Sequence, residues 1–298
     1  AAYSYRLTFA DGTVNTSADP YATAAVANGE RSVVLSKKAM GKAGKRMPAF
    51  GKTTDASIAE MNIRDFSINP ASGISADKQG KYLGVVESGT KTAKGATSGL
   101  DYLKSLGVTH VQIMPMYDYG SVNETGDLSY NADGAQNWGY DPENYNVPEG
   151  SYSSDPSNPS SRVTEMKQMV KGLHKNIRVI MDVVYNHVYN AANHSFNKTV
   201  PGYYFRYDDN GSLVNDSGCG NDTASERAMM RKYIVDSVTY WAKNYNIDGF
   251  RFDLMGLIDT KTMQEVRAAL DKIDPSIIVL GEGWDMNSTM DKSEMTIQ

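Results

Sequence analysis

The sequence reads Gly249-Phe250-Arg251-Phe252-Asp253 at the end of a short apolar stretch, a pattern typical of a strand with a polar terminus. Successive side chains of a strand point to opposite faces, so Arg251 and Asp253 share one face while Phe250 and Phe252 share the other. In a barrel, one face of each strand packs on helices and the other faces the interior. We therefore expect a cation and a carboxylate to project together at a strand end. A buried structural ion pair is the alternative interpretation.

Four other apolar runs have the length of strands, and amphipathic helical patterns separate them. The five predicted strands are residues 60–68, 108–114, 177–184, 247–252 and 277–280. The predicted helices have their apolar stripes at residues 100–106, 163–173, 229–241 and 263–273. Thr223 and Glu226 have the spacing of a capping box before the third of these helices. Strands that alternate with helices indicate an α/β fold built on a parallel sheet.

The chain before residue 58 has a different pattern. Residues 1–36 contain alternating strand-like pieces and turns, which are typical of the last hairpin of a β-sandwich module. Residues 37–57 are rich in Lys, Gly and Ala and are predicted to be a flexible linker or a segment that wraps the surface. The predicted division is a β-module remnant at 1–36, a linker at 37–57 and a β/α barrel region at 58–298.

Composition restricts the classes of function. The chain has 298 residues, 40% of them apolar and 22% charged, so it can bury a substantial core. Its net charge is −5 and it lacks a clustered basic segment, which argues against a nucleic acid or an anionic membrane as a partner. A single cysteine excludes an internal disulfide framework and a multi-cysteine zinc site. The 19 Tyr and 3 Trp residues suit a carbohydrate partner, because flat rings stack on sugar faces.

A second carboxylic acid follows the fifth predicted strand, in Glu282-Gly283-Trp284. Neighbouring barrel strands lie about 5 Å apart, and two carboxyls about 5 to 5.5 Å apart are the arrangement of retaining glycosidases. Asp253, paired with Arg251, would be the ionised nucleophile. Glu282, beside an apolar indole, would be the acid and then the base. A lone Glu at a strand end is usually solvated, so the hypothesis depends on the pair.

Further polar and aromatic residues follow the other predicted strands. The third strand continues into Asn186 and His187, and His187 is a candidate for a hydrogen bond to a sugar hydroxyl or, alternatively, a structural histidine. The loop after the second strand presents Trp138 and Tyr140 between Gly and Pro residues, as a stacking platform for a pyranose ring. Such long connections at the carboxyl ends of strands are where α/β barrels build active sites.

Four of these segments resemble the signature regions of a known family. Residues 182–187, 249–253 and 281–284 resemble three of the four signature regions of the α-amylase superfamily of retaining glycoside hydrolases. Residues 137–142 resemble the marker of type I pullulanases, whose usual form has Tyr where this chain has Gln136. The likeness begins near Tyr3 and continues to the last of these segments.

The resemblance implies a (β/α)8 TIM-barrel fold and hydrolysis of α-1,6 branch links in pullulan, starch-type dextrin or glycogen, without a cofactor. At the matching positions Asp253 is the nucleophile, Glu282 is the acid and base, and Arg251 is the partner of Asp253. Tyr140 stacks in the subsite of the cleaved glucose, and His187 contacts a hydroxyl. The predicted substrate-binding residues are Tyr140, His187, Arg251, Trp138, Asn186 and Trp284.

The match is incomplete in one region. The family's fourth region supplies a His-Asp pair after the seventh strand, and none of the four histidines here is followed by Asp. Five strands correspond to about the first five βα units and cannot close an eight-stranded barrel. We therefore expect an N-terminal portion of a longer pullulanase. It is expected to be nearly inactive alone, because loss of one transition-state contact costs about two to three powers of ten in rate. Stability is expected to need a covering partner, either the C-terminal part of the barrel or a second copy.

Two other functions remain as alternatives. One is a different glucan enzyme of the superfamily, such as an isoamylase or a branching enzyme. The other is a non-catalytic fragment that binds glucan or serves assembly. No metal is expected in the chemistry, although the acidic loop from Asp208 to Asp222 is either a solvated loop or a structural calcium site. The expected location is extracellular or at the cell surface.

Overall fold

The centre of the structure is a parallel five-stranded sheet, described together with the rest of residues 1–297 by a computed structural model. The strands are β1 (Ala2–Tyr3), β2 (Tyr5–Thr8), β3 (Val14–Ser17), β4 (Ser32–Val33), β5 (Ile58–Met61), β6 (His110–Ile113), β7 (Tyr117–Tyr119), β8 (Pro142–Pro148), β9 (Arg178–Val183), β10 (Gly249–Phe252) and β11 (Ile278–Gly281). The α-helices are α1 (Ile63–Ser67), α2 (Tyr82–Val85), α3 (Gly99–Ser105), α4 (Pro159–Leu173), α5 (Ser195–Thr199), α6 (Ala228–Tyr245) and α7 (Thr260–Asp271).

The sheet has the strand order β5-β6-β9-β10-β11, and every neighbouring pair is parallel. The prediction of five parallel strands that alternate with helices is therefore confirmed. Within residues 1–297, β5 and β11 each pair on one side only, so this part of the chain does not close a barrel. All five strands place their carboxyl ends at the same edge of the sheet, where the predicted site residues follow.

Two predicted boundaries differ from the structure. The first strand ends at Met61 rather than continuing through residues 62–68, because Asn62 caps a helix: its side chain accepts the N–H of Asp65 at 3.0 Å. The third predicted helix begins at Ala228 with no side-chain cap. Of the predicted capping pair, Thr223 instead donates its hydroxyl to the carbonyl of Tyr185, and Glu226 pairs with Arg206.

The long helices bury apolar stripes against the sheet and against one another. In α4 the predicted stripe is buried, including Met166 and Met169. In α6 Trp241 is fully buried, and its indole N–H donates to the carbonyl of Tyr145 at 3.0 Å. Met229, expected to face inward, lies in the first turn of α6 and is 46% exposed. Among residues 1–297, no helix has both the length and the apolar composition needed to cross a membrane.

The segment before β5 lies along the rest of the molecule. Residues 37–57 form no strand or α-helix, but their backbone is bonded at several points. Lys167 donates to the carbonyl of Met40 at 3.0 Å, and Asn246 donates to the carbonyl of Gly44 at 2.7 Å. The N–H of Phe50 donates to the hydroxyl of Ser276 at 2.8 Å. These contacts hold the segment against the helical layer as a surface wrap.

Candidate active site

Three carboxylates meet at the guanidinium of Arg251, at the carboxyl ends of β9, β10 and β11. Nη1 donates to Asp182 Oδ1 at 2.9 Å and to Asp253 Oδ1 at 3.0 Å, and Nη2 lies 2.6 Å from Glu282 Oε1. Asp182 is fully buried, whereas the Glu282 side chain is 31% exposed. Asp253 and Glu282 therefore point to the same side of the sheet and contact the two terminal nitrogens of one guanidinium.

The register of the sheet explains this convergence. Arg251 lies beside Asp182 of the neighbouring β9, and side chains of paired residues in a parallel sheet point to the same face. The register of β10 and β11 pairs Phe252 with Gly281, so the next residues along each strand, Asp253 and Glu282, are neighbours. The predicted sharing of one face by Arg251 and Asp253 is confirmed by their ion pair.

Burial and charge act in opposite directions on the pKa values of Asp182 and Arg251. Burial raises the pKa of Asp182 to about 7, against the opposing charge of Arg251 and the hydrogen bond from the Tyr140 hydroxyl. Burial also lowers the pKa of Arg251, but Asp182 and the other two carboxylates outweigh this effect and raise it. Three acids share one guanidinium, so a proton bound at Asp182 near neutral pH reduces the excess negative charge.

The carboxylate of Glu282 is held by an ion pair and by a backbone hydrogen bond. Oε1 faces Arg251 and Oε2 accepts the backbone N–H of Leu254 at 3.1 Å. Leu254 has a left-handed backbone with φ of 41° and ψ of 49°, a strained conformation that costs a non-glycine residue about 1–3 kcal/mol. The apolar wall expected beside Glu282 is therefore not what its carboxylate contacts. Trp284 lies two residues beyond it and is mostly exposed.

Asn186 and His187 connect Asp253 to the aromatic loop. The Asn186 amide donates to Asp253 Oδ2 at 3.0 Å and to its backbone carbonyl at 2.9 Å. His187 Nδ1 lies 2.6 Å from Asn186 Oδ1, and Nε2 lies 2.7 Å from the carbonyl oxygen of Tyr140. Burial lowers the pKa of His187, although the bond to Tyr140 and the charge of Asp253 act in the other direction. Both ring nitrogens already face protein oxygens, so a sugar hydroxyl would have to share one of them.

The aromatic loop is braced by its own polar residues. Asn137 donates to Asp141 Oδ1 at 3.0 Å and accepts the N–H of Gly139 at 2.7 Å. Gly139 has φ of 90°, and a Cβ there would lie 2.6 Å from the carbonyl oxygen of Pro115. Only glycine fits both the conformation and the space. The loop is thus fixed before any ligand binds.

The two predicted stacking rings have polar anchors on different elements. The Tyr140 hydroxyl donates to Asp182 Oδ2 at 2.7 Å, which ties it to the three-carboxylate group. The Trp138 indole N–H donates to Asp65 of α1 at 3.2 Å, and its ring is 53% exposed. An open cavity of about 510 Å³ is bordered by these rings and by Tyr189. Flat rings that border an open cavity with a few polar groups are the usual lining of a sugar site.

Three residues at this site were not predicted: Asp182, Asp65 and Tyr189. Asp182 had a signal, because it is the only charge in the apolar run from Val179 to Val184 and therefore needs a buried partner. Asp65 falls within the predicted strand 60–68, so the sequence pattern does not indicate its position in the first turn of α1. Tyr189 follows β9 by six residues, and the sequence contains many other tyrosines with no site role.

A second group of carboxylates is buried away from this site. Asp118, Glu124 and Glu149 are the one group of three acids among residues 1–297 whose oxygens lie close enough for a single metal ion. A guanidinium already stands among them, because Arg162 donates to Glu124 Oε1 at 3.0 Å and to Asp118 Oδ1 at 3.2 Å. The oxygens of Glu149 accept backbone N–H groups at 2.8 and 3.1 Å. We interpret the group, called the Arg162 cluster below, as a structural ion cluster.

The acidic loop suggested as a calcium site uses its carboxylates internally. Asp208 Oδ1 accepts the backbone N–H groups of Asn210 and Ser212 at 2.9 and 2.8 Å, as in a tight turn. Asp222 Oδ1 accepts the N–H of Ser217 at 2.9 Å. These contacts suit a self-contained loop, and a calcium ion would have to compete with them.

The free energy of unfolding is expected to fall by about 1–3 kcal/mol as the pH rises from about 6.5 to about 8.5. Burial is the main cause that raises the pKa of Glu143 and Asp182 to about 7 and that of Glu149 to about 8. A carboxyl whose pKa is higher in the folded state than in the unfolded state contributes to the free energy of unfolding. This contribution has its full size at pH values below the unfolded-state pKa. That contribution is lost as the pH rises through the folded pKa.

Urea unfolding across this pH range measures the change. Glu143→Gln should flatten the profile because it removes one of the titrating groups, whereas the exposed Glu265→Gln should leave it unchanged. A stability that is constant or rises over this range would contradict the prediction.

One family profile, described as "Alpha amylase, catalytic domain", matches residues 68–211 of the chain. A curated pullulanase from Bacillus subtilis (strain 168) is 48% identical over 269 residues, which cover 90% of this chain and 36% of the relative. The chain therefore spans about a third of the length of that relative.

Solved structures extend the similarity to the whole described fold. The crystal structure of apo pullulanase from Paenibacillus barengoltzii matches with a TM-score of 0.94 at 47% identity, covering 99% of this chain and 45% of that one. The pullulanase of the same organism in complex with maltohexaose and α-cyclodextrin matches with a TM-score of 0.90 at 46% identity, covering 99% and 46%. The five-stranded sheet is accordingly part of a (β/α)8 barrel. The chain belongs to the α-amylase superfamily, and the three relatives described above are pullulanases.

Proposed function

We propose that this site hydrolyses α-1,6-glucosidic bonds of pullulan and related α-glucans with retention of the anomeric configuration. The observation that supports this most directly is the contact of Asp253 and Glu282 with the two ends of the Arg251 guanidinium. Two carboxyls at neighbouring strand ends suit double displacement at an acetal carbon. The relative with bound maltohexaose and α-cyclodextrin supports an α-glucan as the ligand.

The proposed reaction has two displacements. In the first, an oxygen of Asp253 attacks the anomeric carbon and forms a glycosyl ester, while Glu282 gives its proton to the departing glycosidic oxygen. In the second, Glu282 takes a proton from water, the water oxygen attacks the same carbon, and the ester bond to Asp253 breaks. Arg251 and Asn186 each bind one oxygen of Asp253, and so orient it and stabilise its charge.

The remaining predicted residues bind or position the glucan. Tyr140 stacks on the glucose whose bond is cleaved, and Trp138 and Trp284 contact neighbouring units through their exposed rings. The proposed role of His187 is to hold Tyr140 through a hydrogen bond to the backbone carbonyl of Tyr140. The imidazole is almost fully buried, and both of its nitrogens face protein oxygens. A hydroxyl contact through His187 is the alternative role.

A polypeptide is proposed as a second partner, in addition to the glucan, because the sheet has open edges. Within residues 1–297, β5 and β11 have neighbours on one side only, and exposed edges of a parallel sheet need cover. The proposed cover is the C-terminal part of a barrel, and a second copy of the chain is the alternative. Without that cover, the 298-residue chain should bind glucan but hydrolyse it slowly.

Hydrolysis of pullulan tests the proposal. The chain is assayed alone and with the C-terminal part of the Bacillus subtilis pullulanase, which supplies the missing strands. We expect maltotriose only from the combination, formed first as the α-anomer in proton NMR spectra. Initial release of the β-anomer would contradict retention, and rapid turnover by the chain alone would contradict the need for cover.

Substrate comparison separates the alternatives. An isoamylase or branching enzyme would act on amylopectin or amylose in preference to pullulan. The rates on these three glucans therefore distinguish such an enzyme from a pullulanase. The open sheet favours a second candidate function, glucan binding without catalysis, for the isolated chain. Binding of maltotetraose together with no hydrolysis of pullulan in the combined sample would support that function and contradict the catalytic one.

A further inference from the structure

Tyr189 presents an aromatic ring to the same cavity as Trp138 and Tyr140, yet the proposed reaction gives it no role. It follows β9 by six residues and is 48% exposed. Its ring, the indole of Trp138 and the ring of Tyr140 border one open cavity of about 510 Å³. An exposed tyrosine alone means little, so its support by neighbouring residues decides the interpretation.

The ring of Tyr189 lies on Gly120. A Cβ at position 120 would lie 2.1 Å from Cδ1 and 2.5 Å from Cγ of the Tyr189 ring, so no other residue fits beneath the ring in this position. The N–H of Gly120 donates to the carbonyl of Asp141 at 3.0 Å, and this bond connects the backbone beneath the Tyr189 ring to the aromatic loop. The ring and the loop are thus positioned relative to each other.

The backbone that carries Tyr189 is also fixed. The side-chain amide of Asn221 binds both backbone groups of Val188: it accepts the N–H at 3.0 Å and donates to the carbonyl at 2.8 Å. The N–H of Tyr189 donates to the carbonyl of Pro142 at 2.9 Å. A surface ring whose backbone is held in place and which packs against a fixed surface loses little conformational entropy when a ligand stacks on it.

We infer that Tyr189 is a further glucan-stacking residue and that Gly120 is the positioning residue beneath it. The inference rests on the proposed function, because it assigns the occupant of the cavity as a glucose unit adjacent to the one on Tyr140. Gln136 borders the same cavity and supplies an amide for the hydroxyls of that unit, whereas the amide of Asn137 is already bonded to Asp141. The cavity thereby combines flat apolar surfaces with a polar group, as sugar recognition requires.

Maltotetraose titrated into the 298-residue chain combined with the C-terminal part of the Bacillus subtilis pullulanase, followed by calorimetry, tests this inference. Tyr189→Ala should weaken binding about tenfold, whereas Tyr189→Phe should bind within about twofold of the unchanged chain, because stacking uses the ring and not the hydroxyl. Tyr189→Leu keeps apolar bulk over Gly120 but has no flat ring, so it should lose nearly as much affinity as Tyr189→Ala. Tyr102→Ala, a similarly exposed tyrosine on α3, is the matched control and should bind normally.

Gly120→Ala provides an independent test that leaves every aromatic residue in place. The added methyl group should displace the Tyr189 ring and weaken binding about fivefold or more, with an unchanged circular dichroism spectrum. Equal affinity of the unchanged chain, Tyr189→Leu and Gly120→Ala would overturn the inference and leave the proposed function standing. No binding of maltotetraose by the unchanged chain would overturn both.

Discussion

Replacement of Glu282 by Gln is expected to lower kcat for pullulan by about 10²–10⁴-fold, because a positioned general acid contributes a factor of that size. The amide has nearly the same shape and can still reach the Leu254 N–H. It has no proton to give to the glycosidic oxygen, however, and it cannot take one from water. The assay uses the chain combined with the C-terminal part of the Bacillus subtilis pullulanase, and Glu265→Gln on α7 is the matched control.

The choice of substrate separates the acid step from the base step. A 4-nitrophenyl α-maltotrioside has a leaving group that departs without a proton, so Glu282→Gln should still form the glycosyl ester on Asp253. The ester should then accumulate, because its hydrolysis needs the base. Azide needs no base: it attacks the anomeric carbon, breaks the bond to Asp253 and should give an α-glycosyl azide. An Asp253→Asn variant forms no ester and should not give this product.

Two results would contradict these assignments. If azide fails to accelerate turnover in Glu282→Gln, the residue is not the base of the second step. If the azide product has the β configuration, the reaction has no covalent intermediate on Asp253. A separate control is the binding of maltotetraose. If Glu282→Gln loses activity but binds maltotetraose normally, the substitution affects the chemistry and not the fold.

The strand ends of the site could be predicted from the sequence because their information is local. Alternation along β10 places Arg251 and Asp253 on one face, and parallel pairing brings the end of β11 next to it. The contacts that complete the site could not be predicted in this way. The anchor of Trp138 is Asp65, which is 73 residues away in sequence. No periodicity or spacing relates two such residues; only the assembled sheet brings them together.

The contacts of residues 37–57 and of the Arg162 cluster could not be predicted from the sequence for the same reason: they join residues that are distant in the chain. Residues 37–57 lack an apolar pattern, so the sequence does not show which residues they contact on α4 and just after α6. The Arg162 cluster draws its members from α4, β7 and two loops, and each acid alone resembles an ordinary surface residue. Composition indicates a surface wrap as one interpretation of residues 37–57, but it gives no sign of the Arg162 cluster.

The Arg162→Met variant is expected to lose about 3–5 kcal/mol of unfolding free energy, because it leaves buried carboxylates without their cation. Arg162 is fully buried and bonded to Asp118 and Glu124. Glu124 also accepts the N–H of Asn28 at 2.8 Å, so the cluster holds the N-terminal segment to the barrel region. Urea unfolding at pH 7 measures the loss, and Lys175→Met, which removes an exposed charge just after α4, should change stability by less than about 0.5 kcal/mol.

The pH dependence of this loss distinguishes charge from packing. Burial and the charge of Glu124 raise the pKa of Glu149 to about 8, and Arg162 opposes that rise. Without Arg162 the folded-state pKa values of Asp118 and Glu149 move further up, so the stability that these two protonated carboxyls contribute is lost over a wider range as the pH rises. The deficit of Arg162→Met should therefore be small near pH 5 and large near pH 8. A deficit that is independent of pH would mean that the aliphatic packing of Arg162 matters more than its charge, and a loss below about 1 kcal/mol at pH 7 would mean that the cluster is not a structural support.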